Sequence, residues 1–158
     1  MEIERKFLIK ELPAKLEQYV RKEIEQAYLC TNPVIRVRRD NDSYYMTYKG
    51  KGLMVREEYN LPLTKEAYDL LRGKAEGRII SKTRYLIPDE GGLTIELDVF
   101  HGELAPLVLA EVEFGSVEAA NAYRMPDWFK EDVTDNPAYH NSNMISAHRA
   151  IPQKTADR

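Results

Sequence analysis

Apolar and charged residues alternate along most of the chain, which is the pattern of strands whose two faces meet different surroundings. Successive side chains of a β-strand point to opposite faces, so a period of two separates an apolar face from a polar one. This period and the turn residues that interrupt it predict about eight antiparallel strands joined by tight connections. The predicted strands cover residues 2–9, 19–30, 33–40, 42–50, 53–62, 77–88, 93–100 and 107–115.

Helical patterns lie between these strands. Thr64 and Ser116 are good N-cap residues, because a hydroxyl oxygen can accept a hydrogen bond from a free amide of the first turn. Residues 125–151 are rich in Asp, Asn and Pro and predict a packed irregular segment that ends in a short helix, while residues 152–158 predict a frayed tail. Residues 1–151 are therefore predicted to form a single domain. The predicted helices lie near Glu11–Glu17, from Thr64 to Gly73 and from Ser116 to Tyr123.

Sorting each strand by face places charged pairs on one face of nearly every strand and apolar residues on the other. For one strand alone, a solvated outer face is the more common explanation, since antiparallel sheets often have one polar side. Here the pairs segregate by sign, with carboxylates on three strands and cations on four, which points to a ligand. A one-residue slip in the strand 53–62 would exchange Glu58 for Glu57 on this face. The charged face carries Glu2, Glu4, Lys6, Arg36, Arg38, Lys49, Lys51, Arg56, Glu58, Lys82, Arg84, Glu96, Asp98, Glu111 and Glu113.

A sheet of about eight strands can close into a barrel that holds one small molecule. The prediction is an α+β fold: a closed eight-stranded antiparallel β-barrel, or tunnel, with a charged lumen and helices packed on the outside. Enclosed carboxylates repel one another unless hard cations bind them, and oxygen-only ligands favour Mg²⁺ or Mn²⁺ over zinc. Arginine forks and lysines bind phosphate oxygens, so the cationic strands predict a polyphosphate ligand.

Composition narrows the range of functions. The chain has 158 residues and a net charge of −3, which gives no reason to expect nucleic acid or an anionic membrane as a partner. No apolar run approaches the roughly 20 residues of a membrane span, and the acidic start is unlike a secretory signal, so we expect a cytoplasmic protein. Cys30 is the only cysteine, which excludes an internal disulfide or a thiolate cluster. The dispersed His101, His140 and His148 are predicted at surface or capping positions, without a metal role.

The N-terminal Glu2-x-Glu4-x-Lys6 resembles the ExExK signature of the CYTH superfamily, the triphosphate tunnel metalloenzymes. The resemblance covers almost the whole chain, and it is strongest to the compact bacterial single-domain inorganic triphosphatases. It implies an eight-stranded tunnel, triphosphate substrates and Mg²⁺ or Mn²⁺ as cofactor. The later motifs that follow in the family's order are Arg36-x-Arg38, Lys82-x-Arg84, Glu96-x-Asp98, Glu111-x-Glu113 and the stretch 135–143.

The resemblance also implies roles for individual residues. Lys6 and Tyr28 match a lysine and tyrosine that form a catalytic pair in the family. One metal held by Glu2, Glu4 and an acidic pair would orient the phosphates, and a second near Glu111 and Glu113 would activate water. The predicted metal ligands are Glu2, Glu4, Glu96, Asp98, Glu111 and Glu113. The predicted substrate-binding residues are Arg36, Arg38, Lys49, Arg56, Lys82 and Arg84.

Three functions fit these residues. The favoured one is a metal-dependent hydrolase that cleaves the terminal phosphoanhydride of inorganic triphosphate. Thiamine triphosphate hydrolysis or a class IV-type adenylate cyclase activity would need a recess for an organic group at one tunnel mouth. The third is a non-catalytic module that binds polyphosphate or nucleotide, against which the presence of both Glu111 and Glu113 argues. The oligomeric state, including a homodimer, is left open.

Overall fold

The computed structural model of the protein describes residues 1–145. The predicted tail 152–158 and any helix that follows residue 145 lie outside the described residues. The strands are β1 (Glu2–Ile9), β2 (Val20–Thr31), β3 (Val34–Asp40), β4 (Ser43–Lys49), β5 (Val55–Arg56), β6 (Glu58–Pro62), β7 (Glu76–Pro88), β8 (Thr94–Phe100), β9 (Val108–Glu113) and β10 (Phe129–Asp132). The α-helices are α1 (Lys65–Arg72) and α2 (Val117–Ala122).

The strands form one antiparallel sheet that curls into a nearly closed barrel. Their order is β10-β1-β9-β8-β7-β2-β3-β4-β6, and the short β5 returns to pair with β1. This seam pairs Glu2 with Arg56 and Ile3 with Val55. The predicted antiparallel barrel is thereby confirmed.

The strand count differs from the predicted eight at two places. The predicted strand 53–62 is divided into β5 and β6, because its first part leaves β4 and pairs with β1 instead. The segment predicted as irregular contributes the additional strand β10, which pairs with the end of β1.

The helix predictions are confirmed at two positions and wrong at one. Thr64 Oγ1 accepts a hydrogen bond from the amide of Ala67 (3.1 Å), and Ser116 Oγ accepts one from the amide of Ala119 (3.0 Å), as expected for N-caps. The helix predicted near Glu11–Glu17 is only a single 3₁₀ turn, Leu16–Gln18, preceded by a residue in the left-handed conformation. No helix within residues 1–145 is long and apolar enough to cross a membrane.

The apolar outer faces of the barrel are covered by the helices and by β10. Phe7, Leu97 and Val112 are fully buried in one cluster that also contains residues of α2 and β10. On the other side, Tyr68 of α1 packs on Val37. The outer faces therefore supply most of the hydrophobic core, which leaves the inner faces for polar residues.

The inside of the barrel is divided into an apolar end and a polar end. Residues 133–145, which we call the C-terminal plug, fill the apolar end. From the plug, Tyr139 and Met144 pack against inward-facing residues of the strands, including Leu8 and Leu109. The plug closes one end of the lumen and limits the polar cavity to the other.

One carboxylate fixes α1 to β2. Glu25 Oε1 accepts hydrogen bonds from the Tyr68 hydroxyl (2.8 Å) and from Arg72 Nε (2.7 Å). Burial alone would raise the pKa of Glu25, but the hydrogen bonds from Arg72 and Tyr68 outweigh it and lower the pKa. Because the folded pKa lies below the unfolded one, this stabilisation is present at neutral pH and is lost as the pH falls through the folded pKa.

We expect Glu25→Gln to lower the free energy of unfolding by about 1–2 kcal/mol at pH 7, because the three hydrogen bonds from Tyr68 and Arg72 lose their charged acceptor. The difference from the native chain should shrink as the pH falls through the lowered pKa of Glu25, where the native carboxylate also becomes protonated. Urea unfolding at several pH values measures both quantities, with Glu11→Gln at an exposed site as the matched control. A difference that stays constant with pH would contradict the proposed coupling.

Candidate active site

A polar cavity of about 350 Å³ occupies the lumen next to the plug. Of the residues predicted for the site, all except Asp98 line it. The lining residues are Glu2, Glu4, Lys6, Tyr28, Val34, Arg36, Arg38, Tyr45, Lys49, Leu53, Arg56, Glu58, Asn60, Lys82, Arg84, Glu96, Glu111, Glu113, His140, Asn141 and Ser142.

Strand register brings carboxylates together on three neighbouring strands. Glu4 of β1 lies opposite Glu113 of β9, and Lys6 lies opposite Glu111. Glu111 in turn lies opposite Glu96 of β8. Oxygen atoms of Glu4, Glu96 and Glu111 lie within 4.8 Å of one another, which is close enough for one ion to contact all three. An oxygen-only set of this kind suits Mg²⁺ or Mn²⁺.

The electrostatics of this carboxylate cluster also fit a cation. Burial raises the pKa of Glu4 well above its usual range, and the charges of Glu111 and Glu2 raise it further. For Glu111, burial acts in the same direction, but the positive charges of Lys6 and Arg84 outweigh it and hold its pKa well below the usual range. A divalent cation at the cluster would relieve the repulsion that Glu4 meets.

Buried cations form the neighbouring part of the wall. Arg36 and Arg38 of β3 and Lys82 and Arg84 of β7 are all buried. Arg36 Nε has no hydrogen-bond partner among the described residues. A buried guanidinium N–H without an acceptor is unfavourable, so this position favours an anionic ligand that supplies one.

Asp98 was predicted as a metal ligand, but the structure does not bring it into the carboxylate cluster. Its side chain is 0% exposed, and Oδ1 accepts a hydrogen bond from Arg84 Nε (2.7 Å). Oδ2 accepts hydrogen bonds from Lys82 Nζ (2.6 Å) and Arg84 Nη2 (2.9 Å). Burial would raise the pKa of Asp98, but Arg84 and Lys82 reverse the effect and lower it. Asp98 therefore orients two cations from behind the cavity wall.

Glu2 is likewise separate from the three clustered carboxylates. It accepts a hydrogen bond from Lys49 Nζ at 3.0 Å, and Lys49 Nζ also lies 3.4 Å from Glu58. The structure also shows which glutamate of the predicted strand 53–62 faces inward: Glu58 lines the cavity, whereas Glu57 is exposed. Arg56 lines the cavity as predicted and donates to the carbonyl of Gly50 (3.1 Å).

Lys6 and Tyr28 both face the cavity without a direct hydrogen bond between them in the described structure. Lys6 Nζ donates to the carbonyl of Tyr139 (3.2 Å) and lies 3.5 Å from Glu111 Oε1. Burial lowers the pKa of Lys6, but Glu111 and Glu4 outweigh burial and raise it, so the side chain is an ammonium at neutral pH. Tyr28 is buried, and its hydroxyl oxygen accepts a hydrogen bond from Gln26 Nε2 (3.1 Å).

The surface or capping prediction for the histidines is wrong for His140. This side chain is 8% exposed and lines the cavity. Its Nε2 lies 3.1 Å from the carbonyl oxygen of Thr134, and a carbonyl only accepts, so Nε2 carries the proton. Burial and the charge of Lys6 lower the pKa of His140 to about 4, which leaves it neutral at pH 7. His101 is exposed as predicted, and His148 lies outside the described residues.

Sequence reasoning missed the polar residues that complete the wall. Gln26 and Tyr45 lie on the inner faces of β2 and β4, opposite the predicted Arg38, so strand alternation contained the signal for both. His140 and Asn141 belong to the plug, which has no periodicity to show which side chains face inward. Their position depends on how the plug packs into the barrel.

Comparisons with known proteins agree with this geometry. The model of the CYTH domain family matches residues 1–140. An inorganic triphosphatase of Nitrosomonas europaea is 41% identical over 145 residues, which cover 89% of this chain and 93% of that protein. One of Acetivibrio thermocellus is 34% identical over 148 residues, which cover 91% and 92%.

Solved structures support the same relationship. An inorganic triphosphatase crystal structure superposes with a TM-score of 0.70 at 36% identity, covering 95% of this chain and 97% of the other. A protein of Pyrococcus furiosus, with 21% identity and a TM-score of 0.56, covers 77% of this chain and 83% of its own and shows the fold alone. The barrel, its ordered charged pairs and these matches together confirm the resemblance: the chain belongs to the CYTH family.

Proposed function

We propose that the chain is a divalent-metal-dependent inorganic triphosphatase that cleaves the terminal phosphoanhydride of tripolyphosphate inside the barrel. The observation that carries this proposal is the sorting of charge in one cavity, where the carboxylates of Glu4, Glu96 and Glu111 adjoin buried arginines and lysines. A polyanion that arrives with a divalent cation complements both halves of such a wall. The names of the relatives that are 41% and 34% identical support hydrolysis as the activity.

The lining of the cavity favours an inorganic substrate. The volume of the cavity, about 350 Å³, is at the lower end of the range for sites that bind drug-sized molecules. Among the described lining residues, only Val34 and Leu53 are aliphatic. Thiamine or adenine would need an apolar or aromatic recess. The aromatic lining residues Tyr28, Tyr45 and His140 are each hydrogen-bonded to polar groups of the protein, and with two aliphatic side chains they leave the described lining predominantly polar.

Glu4, Glu96 and Glu111 would hold the metal, and Glu113 lines the cavity opposite Glu4 as the candidate ligand of a second one. When bound, Mg²⁺ or Mn²⁺ supplies charge neutralisation at the phosphate oxygens and lowers the pKa of water. The oxygen donors accept both metals. Glu2 and Asp98 are assigned instead to positioning cationic side chains. The carboxylate of Glu2 accepts a hydrogen bond from Lys49, and that of Asp98 accepts hydrogen bonds from Lys82 and Arg84.

The remaining residues bind and orient the substrate. Arg36, with its unpaired Nε, and Arg38 would bind phosphate oxygens, and Arg84 is held in place for the same purpose by Asp98. Preorganised donors of this kind stabilise charge that develops on the transferred phosphoryl group and the leaving pyrophosphate. Lys6, an ammonium between the carboxylate cluster and the plug, would donate to a phosphate oxygen rather than accept a proton.

The cytoplasmic location and the absence of nucleic-acid and membrane partners stay predictions, and the oligomeric state stays open. The boundary of the single domain at residue 151 also stays a prediction.

Phosphate release should depend on the metal and on the clustered carboxylates. We expect no turnover of tripolyphosphate in EDTA and restored turnover with Mg²⁺ or Mn²⁺. Glu4→Gln and Glu111→Gln should each lower kcat/KM by about 100-fold or more, because each removes a charged ligand. Glu131→Gln, at an exposed site on β10, is the control. Turnover that is unaffected by the chelator would refute the metal mechanism.

Substrate choice follows from the small polar cavity. Tripolyphosphate should have a kcat/KM at least about 10-fold above those of ATP and thiamine triphosphate, because the described wall offers the organic groups little contact. Phosphate release from the three compounds, together with pyrophosphate release from ATP to detect cyclisation, gives the ratio when measured side by side. A preference for either organic substrate would replace the proposal with the corresponding activity. Tight binding without turnover would instead indicate a binding module.

Lys6 provides a further test. We expect Lys6→Ala to lower kcat for tripolyphosphate by about 100-fold, because an ammonium that faces the phosphates is lost. Lys51→Ala removes an exposed lysine from the connection between β4 and β5 and serves as the control. Turnover by Lys6→Ala at the native rate would remove Lys6 from the mechanism.

A further inference from the structure

Gln26 of β2 is the centre of a buried hydrogen-bond network that joins three parts of the wall. Its side chain is 0% exposed. Oε1 accepts hydrogen bonds from Arg38 Nε (3.0 Å) and Nη2 (2.6 Å). Nε2 donates to the Tyr28 hydroxyl (3.1 Å) and to Asn141 Oδ1 (3.1 Å). Both ends of the amide are therefore fully used.

Chemistry fixes the direction of these hydrogen bonds. A guanidinium only donates, so the oxygen of Gln26 must face Arg38 and its NH₂ group must face Tyr28. The hydroxyl oxygen of Tyr28 is then an acceptor towards Gln26, and its own proton must be donated elsewhere. Because Tyr28 lines the cavity, a phosphate oxygen is the acceptor that the proposed substrate offers.

The same reasoning orients Asn141 of the C-terminal plug. Its Oδ1 accepts hydrogen bonds from Lys82 Nζ (3.2 Å) and from Gln26 Nε2 (3.1 Å). Because the oxygen of Gln26 is fixed on Arg38, its Nε2 can only donate, so the oxygen of Asn141 must face it and the NH₂ group of Asn141 lies on the other side of the amide. Asn141 also lines the cavity. The plug thereby adds a neutral donor next to the cations of the barrel wall.

We propose that Asn141 contacts the phosphate and that Gln26 is a positioning residue that keeps the Tyr28 hydroxyl and the Asn141 amide pointed at phosphate oxygens as donors. The inference rests on the proposed function and extends it to the uncharged part of the site. A group that only accepts hydrogen bonds, such as an ionised phosphate, can accept from both the Tyr28 hydroxyl and the Asn141 NH₂ group. A ligand that presents an N–H or O–H there leaves donors unpaired on both sides.

Gln26→Glu tests the direction of the network with little change of shape. A carboxylate still accepts from Arg38, but it cannot donate, so the Tyr28 proton would turn towards it and away from the cavity. The new charge would also repel phosphate. A double-mutant cycle with Tyr28→Phe isolates the part that acts through the hydroxyl, because the repulsion and the lost hydrogen bond to Asn141 act in both backgrounds.

We expect Gln26→Glu to lower kcat/KM for tripolyphosphate by about 30-fold or more in the native background. In the Tyr28→Phe background the loss should be at least about 5-fold smaller. The same cycle is measured on the Kd of tripolyphosphate by titration calorimetry, and thermal unfolding confirms that each variant is folded. Gln18→Glu adds the same charge at an exposed site as the control. Equal effects in the two backgrounds, in both kcat/KM and Kd, would overturn the role of Gln26.

Asn141→Asp gives a second variant that does not depend on Gln26. It keeps the acceptor for Lys82 and removes the NH₂ donor, so KM and Kd for tripolyphosphate should rise by about 10-fold or more. Ser142→Asp places a carboxylate at the adjacent lining residue without removing the amide, and it measures the effect of charge alone. Equal increases in the two variants would overturn the contact. If the protein binds tripolyphosphate without hydrolysing it, and the effects of Gln26→Glu and Tyr28→Phe on Kd are not additive, the role of Gln26 is retained and only the proposed function is refuted.

Discussion

An ionised side chain inside a barrel must find a partner, because the enclosed lumen removes the water that would otherwise solvate it. This constraint governs the protein more than any other. Strand alternation sends charged residues inward on nearly every strand, and each must then be balanced by an opposite charge, a hydrogen bond or a ligand. Asp98 shows the first solution, since its carboxylate forms ion pairs with both Lys82 and Arg84. The clustered carboxylate of Glu4, and Arg36 Nε without an acceptor among residues 1–145, show what is left for a cation and an anion to complete.

The rest of the architecture serves that arrangement. Because the inner faces are polar, the hydrophobic core lies mainly outside the barrel, where α1, α2 and β10 cover the strands. The apolar end of the lumen is the exception, and the plug fills it with Tyr139 and Met144. The plug also faces the polar end, through His140 and Asn141. One segment thus closes the barrel and contributes to its binding site.

The sequence predicts this protein well wherever a local period determines the outcome. Alternation placed Arg36 and Glu111 on the inner face, and the same rule applied to β2 would have found Gln26. Strand alternation could not show that the Asp98 carboxylate is bound by the side chains of Lys82 and Arg84, because that depends on which strands become neighbours. His140 was missed for a related reason, since an irregular segment has no period and its inward face is set by tertiary packing alone. The break between β5 and β6 also has a non-local cause, the pairing with β1.

The pairing of the first strand connects the two extremes of the described chain. The amide of Lys6 donates to Thr134 Oγ1 (3.0 Å), and the amide of Val133 donates to the carbonyl of Lys6 (2.8 Å). These contacts span more than a hundred residues, and contacts of such separation form slowly and late. During synthesis β1 can pair with β5 and β9 as these strands are made, but its contacts with β10 and the plug wait until residues 129–145 have been added. Competence to bind a polyanion is therefore acquired only when nearly the whole polypeptide has been made.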